Sequence, residues 1–178
     1  MMKVKPVTIS NILYTTDLSD TSLHAFSYAA SLANLYNASL TVLHVMGEFE
    51  YDQVKHELEG LIGADQWREL KQTHANEALE SMAGKRRDNV LIQETLARFT
   101  ENAKASGGSD RSATDEVLVL FGHPVDKIIL ETAKNRSANL IVMGIHGHSR
   151  LKQLVGSTAN KVLQKADIPV LTVRLEKK

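Results

Sequence analysis

Short apolar segments that alternate with helical segments constrain the fold of this chain more than any other feature of its sequence. Strands are predicted at 7–15, 38–46, 116–121, 139–143 and 168–174. The second of them is β-branched and nearly all apolar in its second half, as is typical of a parallel strand covered on both faces. Helices are predicted at 21–37 and 125–135, where apolar residues recur at helical spacing, and a short helix is predicted at 157–166.

The order of these elements predicts an α/β fold with an open, mostly parallel five-stranded sheet and helices on both faces, in three layers. The opening strand–helix–strand unit fits a right-handed parallel crossover. At 178 residues the chain is expected to form a single domain, 1–178.

The segment 51–114 interrupts this alternation as an extended insertion. Helical spacing of apolar residues predicts helices at 51–62, 67–82 and 90–103, and the polar, glycine-containing segment 104–114 is predicted to be a loop. The insertion is expected to form either a lid over a bound ligand or a separate contact surface.

The glycines after the fourth strand suggest a ligand site. The apolar run 140–143 stops at Gly144, Gly144 and Gly147 bracket a polar turn, and Gly156 stands directly before Ser157. Glycine allows the backbone to approach a ligand closely. A helix that begins at Ser157 would present unpaired N–H groups and a positive dipole end to phosphate. The pattern predicts a phosphate cradle, although plain tight turns remain an alternative interpretation.

Asp17 follows the first strand and is expected to lie at the same edge of the sheet, because ligands of open parallel sheets bind beyond the carboxyl ends of the strands. Asp17 is also compatible with a capping role for the next helix, and so are Asp20, Thr21 or Ser22. Ser157 and Thr158 are likewise compatible with helix N-caps.

The first strand ends in Tyr14-Thr15-Thr16-Asp17 and the fourth runs into Gly144-x-x-Gly147, and in this the chain resembles the universal stress protein family. The resemblance includes 43–45 at the end of strand 2, 122–124 after strand 3 and 168–171 at the start of strand 5. It covers nearly the whole chain outside 51–114. The resemblance implies a Rossmann-like, adenine nucleotide alpha hydrolase-like fold and a regulatory role in the stress response.

Nucleotide-binding members of that family hold the phosphates and ribose of ATP with a Gly-x2-Gly-x9-Gly-Ser/Thr motif. The matching positions here are Gly144, Gly147, Gly156 and Ser157, with eight residues, 148–155, where the family pattern has nine. The ligand implied by the resemblance is therefore ATP, or AMP or ADP, with Mg²⁺ held by the phosphates.

The resemblance also implies a nucleoside end of the site, where Asp17 corresponds to the aspartate of the first strand and Val45 to the valine that touches the base. Together these arguments predict a single nucleotide-binding set: Thr15, Thr16, Asp17, Val45, Met143, Gly144, His146, Gly147, His148, Gly156, Ser157 and Thr158.

Metal binding and catalysis receive less support from the sequence. His146 and His148 form a tempting pair, but no nearby carboxylate or third histidine completes a metal set, so no metal site is expected from protein ligands alone. Arg150 and Lys152 are the cations near the loop, and no evident base accompanies them for phosphoryl transfer. A regulatory nucleotide-binding protein is therefore favoured over an enzyme, and a slow ATPase is a further alternative.

Composition and apolar pattern limit the kinds of partner that the chain is expected to bind. Lys plus Arg equals Asp plus Glu at 21 each, which argues against a dedicated nucleic-acid binder. No apolar run approaches the ~20 residues that span a membrane, no secretory signal is recognisable, and a cytoplasmic location is expected. The resemblance implies a homodimer through strand 168–173, which would otherwise be an exposed apolar edge. The alternative to nucleotide binding is a stress-response dimer that acts through protein partners still unknown.

Overall fold

The computed structural model describes residues 6–46, 51–77, 84–107, 115–145 and 156–174. Within them the chain forms five strands and six helices. The elements in chain order are β1 Asn11–Thr16, α1 Asp20–Tyr36, β2 Ser39–Met46, α2 Tyr51–Ile62, α3 Ala64–Glu77, α4 Gly84–Gly107, β3 Glu116–Phe121, α5 Val125–Asn135, β4 Leu140–Gly144, α6 Ser157–Lys165 and β5 Val170–Val173.

The five strands form one sheet in the order β3-β2-β1-β4-β5, and every neighbouring pair is parallel. The α/β class and the parallel five-stranded sheet predicted from the sequence are confirmed. The chain first builds outward from β1 to β2 and β3, and then returns to place β4 on the other side of β1. The strand order therefore reverses between β1 and β4, which is where open sheets of this kind bind ligands.

Alternation of side chains along the strands builds a core on each face of the sheet. Ile12 and Tyr14 of β1 pack in a cluster with Phe26 of α1, whereas Leu13 between them joins a cluster with Ile129 of α5 and Val162 of α6. Helix α1 therefore covers one face, and α5 and α6 cover the other, which gives three layers.

Helices α2, α3 and α4 extend the layer on the α1 face. Their apolar side chains form a third core around Met46 and the single tryptophan of the chain, Trp67, which is 1% exposed. The indole Nε1 of Trp67 has no hydrogen-bond partner among the described residues, and the ammonium of Lys71 lies 5.4 Å from its ring centre. Phe99 of α4 contacts Phe26 of α1 at 5.2 Å between ring centres, so helices α2 to α4, the helical excursion, pack on α1 and on the sheet.

Several predicted boundaries were wrong. Strand β1 begins at Asn11 and not at residue 7, because its first ladder partner is Ser39 at the start of β2. Strand β5 is limited to Val170–Val173, the residues that pair with β4. Helix α3 starts at Ala64, earlier than the predicted 67, and residues 78–82 of that prediction lie outside the described residues. Helix α4 runs over Gly84–Gly107, beyond the predicted 90–103, since backbone bonding propagates a helix through polar residues that carry no periodic signal.

The predicted loop 104–114 is therefore helical up to Gly107, and its remainder lies outside the described residues. Within the described part of the chain, no helix combines the length and the apolar character needed to cross a bilayer.

Candidate functional site

A cavity of about 330 Å³ opens at the carboxyl ends of β1, β2 and β4, between these strands and helices α1, α5 and α6. Its volume lies at the lower end of the range of about 300–1,000 Å³ that is usual for small-molecule pockets. The cavity is lined by Thr15, Thr16, Asp17, Ser22, Leu43, Val45, Val125, Ile129, Met143, Gly144, Gly156, Ser157, Thr158 and Ala159.

Nine of the twelve residues predicted from the sequence line this one cavity. They are Thr15, Thr16, Asp17, Val45, Met143, Gly144, Gly156, Ser157 and Thr158. The other three, His146, Gly147 and His148, lie outside the described residues. The side chains described within the insertion, those of residues 57–73 and 90–102, are not among the lining residues.

Sequence reasoning missed Ser22, Leu43, Val125, Ile129 and Ala159. Leu43, Val125 and Ile129 could have been found from the periodicity of the sequence. Leu43 precedes Val45 by two positions and so faces the same side of β2. Val125 and Ile129 are four residues apart on α5 and share one helical face.

The turn between β1 and α1 is held by a chain of hydroxyl groups. The backbone N–H of Leu18 donates to Thr16 Oγ1 at 2.9 Å, and the hydroxyl of Ser22 donates to the carbonyl of Ser19 at 2.9 Å. Because each hydroxyl has one hydrogen, the 2.8 Å contact between Thr16 Oγ1 and Ser22 Oγ must use the hydrogen of Thr16. Thr16 thus has both its donor and an acceptor site engaged within the turn.

Ser19 is the N-cap of α1, and the predicted caps Asp20, Thr21 and Ser22 were wrong. Ser19 has the extended backbone that a cap requires, with φ −69° and ψ 158°, and its Oγ accepts from the N–H of Ser22 at 3.3 Å. Asp20 cannot take this position, because it is already the first residue of the helix.

Asp17 does not cap the helix directly but binds the residue that does. Its Oδ1 accepts from the backbone N–H of Ser19 at 3.2 Å and from the hydroxyl of Ser19 at 2.7 Å. Ser19 therefore orients the exposed carboxylate at the cavity wall.

Two buried aromatic side chains, Tyr14 and His44, form hydrogen bonds with backbone carbonyls at this turn. The carbonyl of Thr16 lies 2.8 Å from Nδ1 of His44, and since a carbonyl only accepts, Nδ1 carries the hydrogen. The phenol of Tyr14 donates to the carbonyl of Ser22 at 2.6 Å. Burial raises the pKa of Tyr14 well above its ordinary value of about 10, so the phenol stays protonated and remains a donor.

Gly144 lies at the end of β4, where the first turn of α1 crosses directly over it. A Cβ at this position would lie 2.9 Å from both Cα and N of Ser22, and 3.0 Å from the carbonyl carbon of Thr21. Those neighbours are backbone atoms, which cannot rotate away as a side chain can. Glycine is required here by the packing of α1, whether or not a ligand is present.

The opposite wall of the cavity is the start of α6. Gly156 is its N-cap, with no side-chain cap, and Ser157 is already its first residue. The prediction that the hydroxyls of Ser157 and Thr158 act as N-caps is therefore wrong, because glycine occupies the cap position. The first N–H groups of a helix have no intrahelical acceptor, and here they belong to residues that line the cavity.

The far end of α6 is tied to α5. The ammonium of Lys165 lies 2.7 Å from Oδ2 of Asp126, which is nearly fully buried in the first turn of α5. The hydrogen bond from Lys165 holds the pKa of the Asp126 carboxyl below its ordinary value. This ion pair connects the helix that opens the cavity wall to the helix that carries Val125 and Ile129.

Within the described residues, no group of three or more His, Asp or Glu side chains is placed to hold a metal ion. The cavity instead offers a carboxylate on one wall, a helix N-terminus on another and apolar side chains between them. Such a site suits a ligand that has hydrogen-bond donors at one end, an apolar ring in the middle and an anion at the other end.

Comparison with known proteins identifies relatives over nearly the full chain. The model of the Universal stress protein family matches residues 8–174. Universal stress protein A homolog 1 of Coxiella burnetii is 31% identical over 163 residues, which span 92% of this chain and 94% of the relative.

Solved structures of similar fold include two nucleotide complexes. A universal stress protein in complex with cAMP has a TM-score of 0.56 at 23% identity, and covers 94% of this chain and 98% of its own. The universal stress protein from Archaeoglobus fulgidus in complex with dAMP has a TM-score of 0.53 at 19% identity, and covers 94% of this chain and 99% of its own. At these identities the likeness establishes the shared fold.

Proposed function

The chain belongs to the universal stress protein family, and from this premise we propose that it binds an adenine nucleotide in the cavity and acts as a stress-response regulatory protein. The ligand is ATP, or AMP or ADP, and Mg²⁺ is held by the phosphates when it is present. The nucleotide-binding residues are those predicted from the sequence.

The observation that carries this proposal is the opposite polarity of the two cavity walls. The carboxylate of Asp17 repels phosphate and accepts hydrogen bonds from hydroxyl or amino groups, which a nucleoside supplies. The start of α6 attracts an anion through unpaired N–H groups and the helix dipole, and Ser157 and Thr158 add hydroxyl donors. A nucleotide is accordingly oriented with its nucleoside toward β1 and its phosphate toward α6.

Apolar side chains from both sheet and helix provide the surface against which the base packs. Leu43 and Val45 come from β2, Met143 from β4, and Val125 and Ile129 from α5. Pockets of this kind are mainly apolar, with few polar groups that fix orientation. The solved relatives in complex with cAMP and dAMP support an adenine nucleotide as the occupant.

A binding function is favoured over catalysis by the side chains that line the cavity. Among the described lining residues, Asp17 is the only carboxylate, histidine, lysine or arginine. Phosphoryl transfer requires positioned cations and a group that orients the nucleophile. We therefore propose that occupancy itself is the signal, because a nucleotide shifts the protein toward the conformation that binds it better.

The direct test is isothermal titration calorimetry with ATP–Mg²⁺ and with AMP, on the wild-type chain and on Asp17→Asn. Asparagine keeps the shape of the side chain but removes its charge, and a hydrogen bond to a charged group contributes about 1.5–3 kcal/mol. We expect Kd to rise by about 10- to 100-fold. The control is Asp65→Asn, whose carboxylate lies exposed on α3 and outside the cavity, and this variant should bind as the wild type does.

Absence of binding heat in the wild type, together with no adenine nucleotide in the purified protein by mass spectrometry, would favour the alternative of a dimer that acts through protein partners. ATP hydrolysis above a blank that is abolished by Asp17→Ala would instead favour the slow ATPase.

We also propose that the chain is a homodimer that pairs strand 168–173 with its copy. In the described sheet β5 pairs with β4 on one side only, which leaves its other edge for a partner strand. Light scattering at micromolar concentration tests this, and a monomeric mass would contradict it.

A further inference from the structure

Leu18 connects the cavity to the helical excursion. It directly follows Asp17 in the turn between β1 and α1, yet it is 3% exposed and lies in the core of α2, α3 and α4. The other buried members of this core are Met46, Leu58, Ile62, Trp67, Leu70, Leu91, Ile92 and Leu96. Leu18 therefore joins the core of α2 to α4 to the turn that carries Asp17.

The backbone of Leu18 is held in an unfavourable conformation. Its φ is 66°, in the left-handed region that branched and bulky residues rarely adopt. Such a conformation persists only where the surrounding structure determines it. Two interactions do so here, the hydrogen bond from its N–H to Thr16 Oγ1 and the burial of its side chain among the helices.

Fixing Leu18 also fixes the residues on either side of it. Asp17 and Ser19 flank Leu18, and they are joined to each other by the two hydrogen bonds on Asp17 Oδ1. If the side chain of Leu18 leaves its core, φ is free to return to negative values, and the Asp17–Ser19 pair cannot keep its geometry.

We propose that Leu18 is a positioning residue of the nucleotide site, through which helices α2 to α4 hold the carboxylate of Asp17 in its binding orientation. This inference rests on the nucleotide binding proposed above. Coupling of this kind is reciprocal, so a bound nucleotide must stabilise the helical core to the same extent that the core favours binding.

The test compares ATP–Mg²⁺ affinities, measured by calorimetry, of four variants at a temperature where each is folded by circular dichroism. Leu18→Ala removes the anchoring side chain, and Leu18→Gly removes it while adopting φ 66° without strain. We expect Kd to rise at least tenfold in both. Leu18→Met keeps a long apolar side chain and should restore affinity to within about threefold of the wild type.

The matched control is Leu70→Ala, which removes the same atoms from the same core. Leu70 lies on α3, which packs against α2 and α4, and it is away from the turn in sequence. Leu70→Ala should lower the melting temperature as Leu18→Ala does and leave Kd within about threefold of the wild type. Equal loss of affinity in the two variants would show general loosening of the core and would overturn the proposal.

A reciprocal measurement needs no variant. Hydrogen–deuterium exchange of the wild-type chain with and without ATP–Mg²⁺ should show slower exchange in α2 near Leu58 and in α4 near Ile92 when nucleotide is bound. Unchanged exchange in both helices at saturating ATP would overturn the proposal.

The outcomes separate this inference from the function on which it rests. A wild-type chain that binds no adenine nucleotide would overturn both. Wild-type binding with unchanged affinity in Leu18→Ala and Leu18→Gly would overturn only the role of Leu18, and nucleotide binding would stand.

Discussion

The two walls of the cavity are built by different means. At the turn between β1 and α1, hydroxyl groups of Thr16, Ser19 and Ser22 bond to one another and to the backbone, and buried Tyr14 and His44 support them. At the start of α6, by contrast, the cap is Gly156 and no side chain caps the helix.

This difference teaches which part of the site is complete without a ligand. The hydroxyl groups of the turn bond within the turn, so its geometry is set by the protein, and in the function proposed above this wall binds the nucleoside. The start of α6 carries N–H groups that lack intrahelical acceptors, and an anion satisfies them. We therefore expect changes at the turn to affect stability, and changes at α6 to affect mainly the binding of phosphate.

The largest expected effect comes from Gly144, on which the turn rests. Gly144→Ala places a Cβ against the backbone of Ser22 and should lower the free energy of unfolding by about 3 kcal/mol, the upper end of typical overpacking costs. Gly60 of helix α2 is the control, because a Cβ added there has no neighbour within 4 Å. Gly60→Ala should raise the free energy of unfolding by about 1 kcal/mol. Urea denaturation measures both, and similar values for the two would refute the packing role of Gly144.

A smaller, pH-dependent effect is expected at Tyr14. Tyr14→Phe loses one buried hydrogen bond, which should cost about 1 kcal/mol near pH 8. The raised pKa of folded Tyr14 means that only the unfolded chain releases this proton above pH ~10. Above pH ~10 the free energy of unfolding of the wild type should therefore fall by about 1.4 kcal/mol per pH unit because of Tyr14. Tyr14→Phe has no phenol and should not show this fall.

Urea denaturation of wild type and Tyr14→Phe at pH 8 and pH 11 tests this difference. The stability advantage of the wild type should disappear near pH 11. An advantage of constant size across this range would mean that the folded phenol titrates as an exposed tyrosine does.

The smallest effects compare the two helix starts directly. Ser19→Ala removes the cap of α1 and should cost about 1 kcal/mol without any ligand. Ser157→Ala removes a hydroxyl that caps nothing, and without ligand it should change stability by less than about 0.5 kcal/mol. In binding measured by calorimetry, Ser157→Ala should have the larger effect of the two variants when the ligand carries phosphate. Ser157→Ala should weaken ATP binding about tenfold and leave adenosine binding unchanged.

If Ser157→Ala weakened adenosine and ATP equally, the assignment of α6 to the phosphate end would be wrong. If Ser19→Ala cost no stability, the turn would not be the preformed wall that its hydrogen bonds indicate.

Local pattern was enough to predict most of the fold. Strands were recognisable because they are short apolar runs between breakers, and helices such as 51–62 and 125–135 were found with the observed bounds because their apolar faces are periodic. The predicted strand boundaries were wrong where pairing with a neighbouring strand sets the boundary. Residues 7–10 have strand-like composition but no described ladder partner, and Val7 is 79% exposed.

The candidate site was predictable to the extent that strand ends meet at one edge of a parallel sheet. That rule, with the family resemblance, brought Asp17, Val45 and Gly144 together before any contact was known. The causes of their placement were not predictable. Gly144 needs α1 to lie above it, and Leu18 reveals its left-handed backbone only in the folded turn. The close approach at Gly144 and the backbone conformation of Leu18 both depend on contacts between helices and strands, and no local sequence pattern predicts such contacts.

The position of Trp67 makes the helical excursion optically distinct from the rest of the molecule. It is the only tryptophan of the chain, and its indole is buried in the core of α2, α3 and α4 and is not among the described residues that line the cavity. Intrinsic fluorescence excited at the indole band therefore reports on that core. Emission should shift to longer wavelength when the helices separate from one another, even while the parallel sheet remains intact. Comparing fluorescence with far-ultraviolet circular dichroism during unfolding would show whether the excursion and the sheet melt as one cooperative unit or as two.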